Sequence, residues 1–112
     1  MTFVESIQTC FRKYATFAGR AARPEYWWFV LFLVLTQVVA EMISPTLSAV
    51  FVIATLIPAI AAATRRLHDV DRSGWWQLIG FIPLIGWILL IYWMVQPGKE
   101  PNRFGPPPQP AR

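Results

Sequence analysis

Residues 47–64, "LSAVFVIATLIPAIAAAT", contain no charged side chain, and only "SPT" at 44–46 separates them from a second apolar run, "YWWFVLFLVLTQVVAEMI" at 26–43. At 1.5 Å per residue each run is long enough to cross a bilayer core of ~30 Å as a helix. So short a connection permits only antiparallel neighbours. The chain is therefore predicted to be built on a membrane-spanning helical hairpin. Composition agrees: 55% of the 112 residues are hydrophobic and 14% charged, where about a quarter charged is usual for a soluble domain. Lipid is the expected solvent.

A third apolar segment, "WWQLIGFIPLIGWILLIYWMV" at 75–95, is interrupted by Pro83 and Gly86. It is read as one kinked crossing. The alternative is a re-entrant or hairpin segment, whose broken backbone would have to be covered by protein. Pro58 is expected to kink the second span because it removes one backbone hydrogen bond. Thr55, Ala59 and Ala63 form a stripe of small residues against which another helix can pack.

Residues 1–18 read as an amphipathic helix, with Phe3, Ile7, Cys10, Phe11, Tyr14 and Phe17 recurring at three- and four-residue spacing. Thr2 and Glu5 fit a capping box. This helix lies in the headgroup region or docks on the rest of the protein. Glu5, Gln8, Arg12 and Lys13 stand where the apolar core of a cleavable signal peptide would be, so none is expected. Gly19 ends the helix, and Pro24 with Glu25 opens the first span. The membrane domain is placed at 24–98. A proline-rich tail follows at 99–112, extended or disordered beyond Gly105. The fold class is thus an all-α integral membrane protein with an N-terminal interfacial helix and three membrane segments.

Lys and Arg set the orientation. Arg12, Lys13, Arg20 and Arg23 precede the first span, and Arg65, Arg66 and Arg72 lie between the second and third. Lys99, Arg103 and Arg112 are in the tail, and the 44–46 turn has none. The positive-inside rule then puts the N-terminus in the cytoplasm. Three crossings place the tail outside; a hairpin third segment would return it inside. The net charge of +4 is explained by these flanks. Nucleic acid is not expected as a partner, because the neighbouring aromatic residues serve better as a membrane belt than as a stacking platform. That belt is assigned to Tyr26, Trp27, Trp28, Trp75 and Trp76.

The densest polar stretch is "TRRLHDVDRSGWW" at 64–76, which holds the one histidine. If the second span continues as a helix past Thr64, Arg65 and Asp69 are four apart and can pair. Arg65 or Arg66 could also reach Glu25. Arg20, Arg23, Glu25, Arg65, Arg66, His68, Asp69 and Arg72 then form a cytoplasmic arginine rim. Such a rim can be a salt-bridged anchor, a site for an anionic phospholipid or phosphate, or a catalytic site with His68 as acid–base oriented by Asp69 or Asp71. The anchor is the plainest of the three. No metal site is expected, since neither a second histidine nor a second cysteine is present. No cofactor is expected either: there is no phosphate-cradling glycine loop. Cys10 is assigned no role. Glu41, with Gln37 one turn earlier, is a proton-site candidate inside the membrane, although its position lets it reach the outer interface.

Tyr14, Phe17, "GR" at 19–20, Arg23, "EYW" at 25–27, "RRLHD" at 65–69, "SGWW" at 73–76, Pro83, Gly86, Gly98, Asn102, "FG" at 104–105 and Pro108 together form a pattern. The chain resembles, from about Phe11 to Pro108, the YhaH-like bacterial inner-membrane family, catalogued as domain of unknown function eight-hundred-and-five. Phe104 stands where many members have Tyr. The resemblance implies a small multi-pass protein of the bacterial cytoplasmic membrane. It implies no activity, substrate or catalytic residue.

The leading expectation is a non-enzymatic membrane component that binds a partner protein or anionic lipid through the arginine rim. A second is a pore or transporter subunit using Glu41 or Glu25. A third is a lipid-acting enzyme using His68 and Asp69. Three segments enclose little, so a transport path would need a homo-oligomer or a partner membrane protein.

Overall fold

The computed structural model describes residues 2–106 of the chain. Among the described residues it contains five helices and no strand. Helix α1 covers Phe3–Arg12, α2 Arg23–Ile43 and α3 Pro45–Asp69, followed by a 3-10 helix at Gly74–Phe81 and α4 at Ile85–Val95.

Helices α2 and α3 form the expected antiparallel hairpin and, among the described residues, are the two elements long and apolar enough to cross a bilayer. Their connection is tighter than predicted. Ser44 alone joins them: its hydroxyl accepts from Leu47 N at 3.0 Å, and Pro45 starts α3 where no N–H is needed. Only 11% and 33% of their apolar windows are buried, and Met42 and Ile53 are 82% and 74% exposed. Apolar surface on this scale is stable only against an apolar surrounding. Four polar side chains along the hairpin, Thr36, Gln37, Ser48 and Thr55, are partnered within it. The Gln37 amide donates to the Ser48 hydroxyl, while Thr36 and Thr55 donate to Phe32 O and Phe51 O on their own helices.

Helix α3 continues through Pro58. A proline cannot donate to the carbonyl four residues back, which leaves Ala54 O without its helical partner. The Tyr14 hydroxyl takes that place and donates to Ala54 O. Upstream, α1 packs on α2, with Phe3 edge-on to Trp28 at 5.7 Å and Phe11 edge-on to Phe29 at 5.5 Å. Ser6 and Cys10 are buried over the first turn of α2, and the Ser6 hydroxyl donates to Glu25 O. The Thr2–Glu5 capping box is formed.

The third segment departs from the favoured single kinked crossing. Its two halves fold back on each other, as in the alternative reading. Eight residues of 3-10 helix and eleven of α4 each extend about 16 Å, half of a bilayer core. Leu84 turns the chain with φ of +65°. At Gly86 a Cβ would stand 1.8 Å from the Ile79 carbonyl oxygen, so only glycine lets the two limbs meet here. Trp87 Nε1 closes the turn on Gly80 O at 2.8 Å, and the Trp76 and Trp93 rings meet edge to face at 5.4 Å. Both open ends of this small hairpin lie at the charged end of α3. Gln77 reaches Thr64 at one limb, and Met94 reaches Arg66 at the other.

Tyr14→Phe is expected to strand the Ala54 carbonyl in apolar surroundings and to lower stability by about 1–3 kcal/mol. Thermal unfolding in detergent checks this; a Tyr14→Phe protein that melts with the parent would overturn the pairing.

Candidate functional site

Helix α3 runs on past Thr64 to Asp69, which brings Arg65, Arg66 and Asp69 into its last turns. It ends by a left-handed residue, with Asp71 N bonded to His68 O and Arg72 N to Leu67 O, both at 2.9 Å. This is the Schellman arrangement with Asp71 at φ +60° in place of the usual glycine. Aspartate is among the few side chains that accept such a backbone.

The rim residues converge, but as an interior layer. Arg65, Arg66 and Asp69 are wholly buried, and Glu25 and Arg20 nearly so. Arg65 forms an ion pair with Glu25 across the α2–α3 hairpin. Asp69, expected to pair with Arg65, is bound by Arg66 at 2.7 Å and by Arg20 at 2.8 Å. Arg20 continues to Glu100 at 2.8 Å and to Gly105 O at 3.1 Å. Arg20, Arg65 and Arg66 thus face Glu25, Asp69 and Glu100, a layer neutral in sum. That neutrality matters, because desolvating an uncompensated charge costs several kcal/mol.

The layer also closes the end of α4, whose last carbonyls have no helical donors. Arg66 Nε donates to Met94 O at 2.9 Å, its Nη2 to Gln96 O, and its Nη1 to Ala21 O at 3.2 Å as well as to Asp69. Trp27 Nε1 adds a second donor to Met94 O at 3.0 Å, and Arg23 reaches Val95 O at 3.4 Å. One guanidinium fork therefore ties the linker before α2, the end of α3 and the end of α4. A point-like ammonium could not serve all these directions.

The remaining predicted residues lie outside this layer. Arg23 is exposed. Arg72 lies over the Trp93 ring at 4.1 Å. His68 stacks on Phe104 at 4.1 Å, and its Nδ1 faces Gly19 O at 2.9 Å rather than a carboxylate. Asp71 pairs with Arg103 at 3.3 Å. Tyr26 and Trp27 of the proposed belt pack inward against the core, while Trp28, Trp75 and Trp76 are exposed. Glu41 is exposed near the far end. Burial, with Glu25 beside it, pushes the Cys10 thiol up to about 11 against the pull of Arg65, so at neutral pH it is an unreactive packing group. Among the described residues no cluster of His, Cys, Asp or Glu is suited to a metal ion.

Residues 99–106 complete the site. Lys99 N donates to Asp69 O at 2.8 Å and the Asn102 amide to His68 O at 2.7 Å. The start of the tail is therefore docked on the end of α3; the part expected to be disordered falls almost wholly outside the described residues. Asn102 and Phe104 were visible as elements of the pattern, without any sign of what they hold. Trp93, Gln96 and Lys99 carried no individual signal.

An all-helical chain with two bilayer-length apolar helices, exposed to their surroundings and closed at one end by a buried charged layer, defines a small integral membrane protein. It belongs to the family described as protein of unknown function (DUF805), which matches residues 14–106. It is similar to the Inner membrane protein YhaH of Escherichia coli (strain K12), 37% identical over 110 residues, covering 88% of this chain and 91% of that protein. It is also similar to the Inner membrane protein YhaI of the same organism, 42% identical over 79 residues, covering 64% of this chain and 67% of that one. No solved structure matches it.

Arg66 and Arg65 should respond differently to lysine. Arg66 engages three nitrogens, so Arg66→Lys is expected to lose about 2–4 kcal/mol through stranded carbonyls. Arg65 engages Glu25 through one nitrogen, so Arg65→Lys should lose about 1 kcal/mol. Comparative melting of the two variants checks the ordering, and equal losses would contradict it.

Proposed function

We propose that this chain is a non-enzymatic component of the bacterial inner membrane that recognises anionic phospholipid at its cytoplasmic face. In this reading α2 and α3 cross the bilayer, and the 3-10 helix and α4 enter and leave on the cytoplasmic side. The N-terminus and the tail share that side. The docking of residues 99–106 on the end of α3 supports it, as does the concentration of arginine there.

The observation that carries the lipid reading is the contrast between the buried arginines of the layer and two cations, Arg72 of the rim and Lys99 of the tail, that line a groove. Arg20, Arg65 and Arg66 are committed to internal carboxylates and carbonyls. Arg72 and Lys99 instead line a groove of about 470 Å³ with Tyr92, Trp93 and Gln96. The groove adjoins the exposed apolar face of α4 at Ile88 and Ile91. A phosphate between Arg72 and Lys99 would leave its acyl chains along that face. Glu100 also lines the groove, and its carboxylate is turned to Arg20.

Each cation near an anionic surface contributes about 1 kcal/mol. The pair Arg72→Ala and Lys99→Ala should therefore lower retention of phosphatidylglycerol in native mass spectrometry by roughly tenfold or more, with phosphatidylethanolamine unchanged. Undiminished phosphatidylglycerol would sink the lipid reading. A fluorescent reporter fused to the C-terminus is expected to report a cytoplasmic location; a periplasmic one would exclude the re-entrant topology.

A further inference from the structure

A second cavity shares no lining residue with the Arg72–Lys99 groove. It has a volume of about 340 Å³, and its lining includes Phe17, Ile60, His68, Ser73, Trp75 and Gln77. That is enough space for a small headgroup. Its two walls differ in chemistry. Phe17, Ile60 and Trp75 are exposed apolar residues that carry the cavity out onto the surface of the hairpin. The opposite wall is polar, and apart from His68 it holds no ionisable side chain.

The hydrogen bonds already made define what this wall offers. The Gln77 amide donates to Thr64 Oγ1 at 2.6 Å and to Gly74 O at 3.1 Å, which commits its NH2 and leaves its carbonyl oxygen as an acceptor. Facing the Gly19 carbonyl, His68 Nδ1 carries a hydrogen, so in the neutral ring Nε2 is an acceptor. Ser73 Oγ accepts from Trp75 N at 3.3 Å, and its own hydrogen stays available to donate. Two acceptors beside the Ser73 and Thr64 hydroxyls suit a hydroxyl, which both donates and accepts. A phosphate, which only accepts, would leave both of those acceptors facing its oxygens and would find no lysine or arginine.

We propose that this cavity binds the hydroxyl headgroup of an uncharged lipid alcohol, with its chains leaving past Ile60 and Trp75. The site is independent of the anionic groove. Gly74 holds its back wall closed, since a Cβ there would meet Thr64 Cγ2 at 2.5 Å. Phe104, stacked flat on His68, fixes the plane of the imidazole. The shared chemistry is a free hydroxyl on an apolar tail, which a diacylglycerol or a polyprenol would each supply.

The test uses the full chain in phosphatidylcholine nanodiscs with three photoactivatable probes: a diacylglycerol, the phosphatidic acid of the same chains, and a polyprenol. Crosslinked peptides are mapped by mass spectrometry. At least one alcohol should label peptides containing Ile60 or Trp75 about fivefold or more above phosphatidic acid, the scale of one hydrogen bond gained against one lost. Which alcohol labels identifies the source. Ser73→Ala together with His68→Phe, which keeps the ring stack, should cut that labelling about tenfold. Ile60→Trp fills the cavity from its exposed side, spares the polar wall, and should abolish it. Phosphatidylglycerol retention should stay at the parent level in all these variants, so failure here is distinct from failure of the anionic site. Labelling as strong with phosphatidic acid, labelling that survives Ile60→Trp, or labelling spread evenly along α2 and α3 would each overturn the proposal.

Discussion

The Arg66 guanidinium is the interaction on which the assembly of this molecule depends. It binds oxygens of Ala21, Asp69, Met94 and Gln96, drawn from three separate parts of the chain. A charge with no exposure to solvent could not be kept there by Coulomb attraction alone, because desolvation takes back much of what a single ion pair gains. Asp69 balances the charge, and the carbonyls occupy the directions the carboxylate leaves open. The result joins a charge problem to a backbone problem. An arginine that needs partners meets a helix end that needs donors.

The same logic recurs wherever the backbone ladder is interrupted. Pro58 frees a carbonyl, and Tyr14 answers it. Helix α4 ends with unpaired carbonyls, and Arg66, Trp27 and Arg23 answer those. In water such groups would be satisfied by solvent; in an apolar surrounding they must be satisfied by protein. So small a chain can therefore carry a broken segment only because side chains from distant positions stand in for water. This also explains why the most polar side chains of the molecule are among its most buried.

The hairpin of α2 and α3 was legible because an uncharged run of bilayer length has few other solutions, and its tight turn was announced by "SPT". Five members of the charged layer, Arg20, Glu25, Arg65, Arg66 and Asp69, were legible from the clustering of arginine beside carboxylates at the ends of the apolar runs; Arg23, His68 and Arg72 lie outside it, and Glu100 gave no signal. The pairing within the layer was not legible: Arg65 has Glu25 and Asp69 both in nominal reach, and only the packing of α2 on α3 decides. The small hairpin at 74–95 was ambiguous for a similar reason. Pro83 and Gly86 mark a break, but a kink and a reversal share that signature. The close approach of Gly86 to Ile79 distinguishes them, and that is a tertiary fact. Asp71 as a helix terminator was hidden because glycine is the usual signal there. The docking of 99–106 was hidden because proline-rich polar sequence ordinarily reads as unstructured.

A single residue, Ser44, connects the two long helices, and this gives the molecule a pronounced polarity of access. At the opposite end a linker, a terminator loop, the docked residues 99–106 and two grooves are gathered around the end of α3. At the Ser44 end there is only a turn, with Met42, Ile43 and the exposed Glu41 and Thr46 beside it. No loop there is long enough to be grasped, cut or regulated. The long polar segments that a partner could address are confined to one of its two ends, where the two grooves and the docked residues 99–106 also lie.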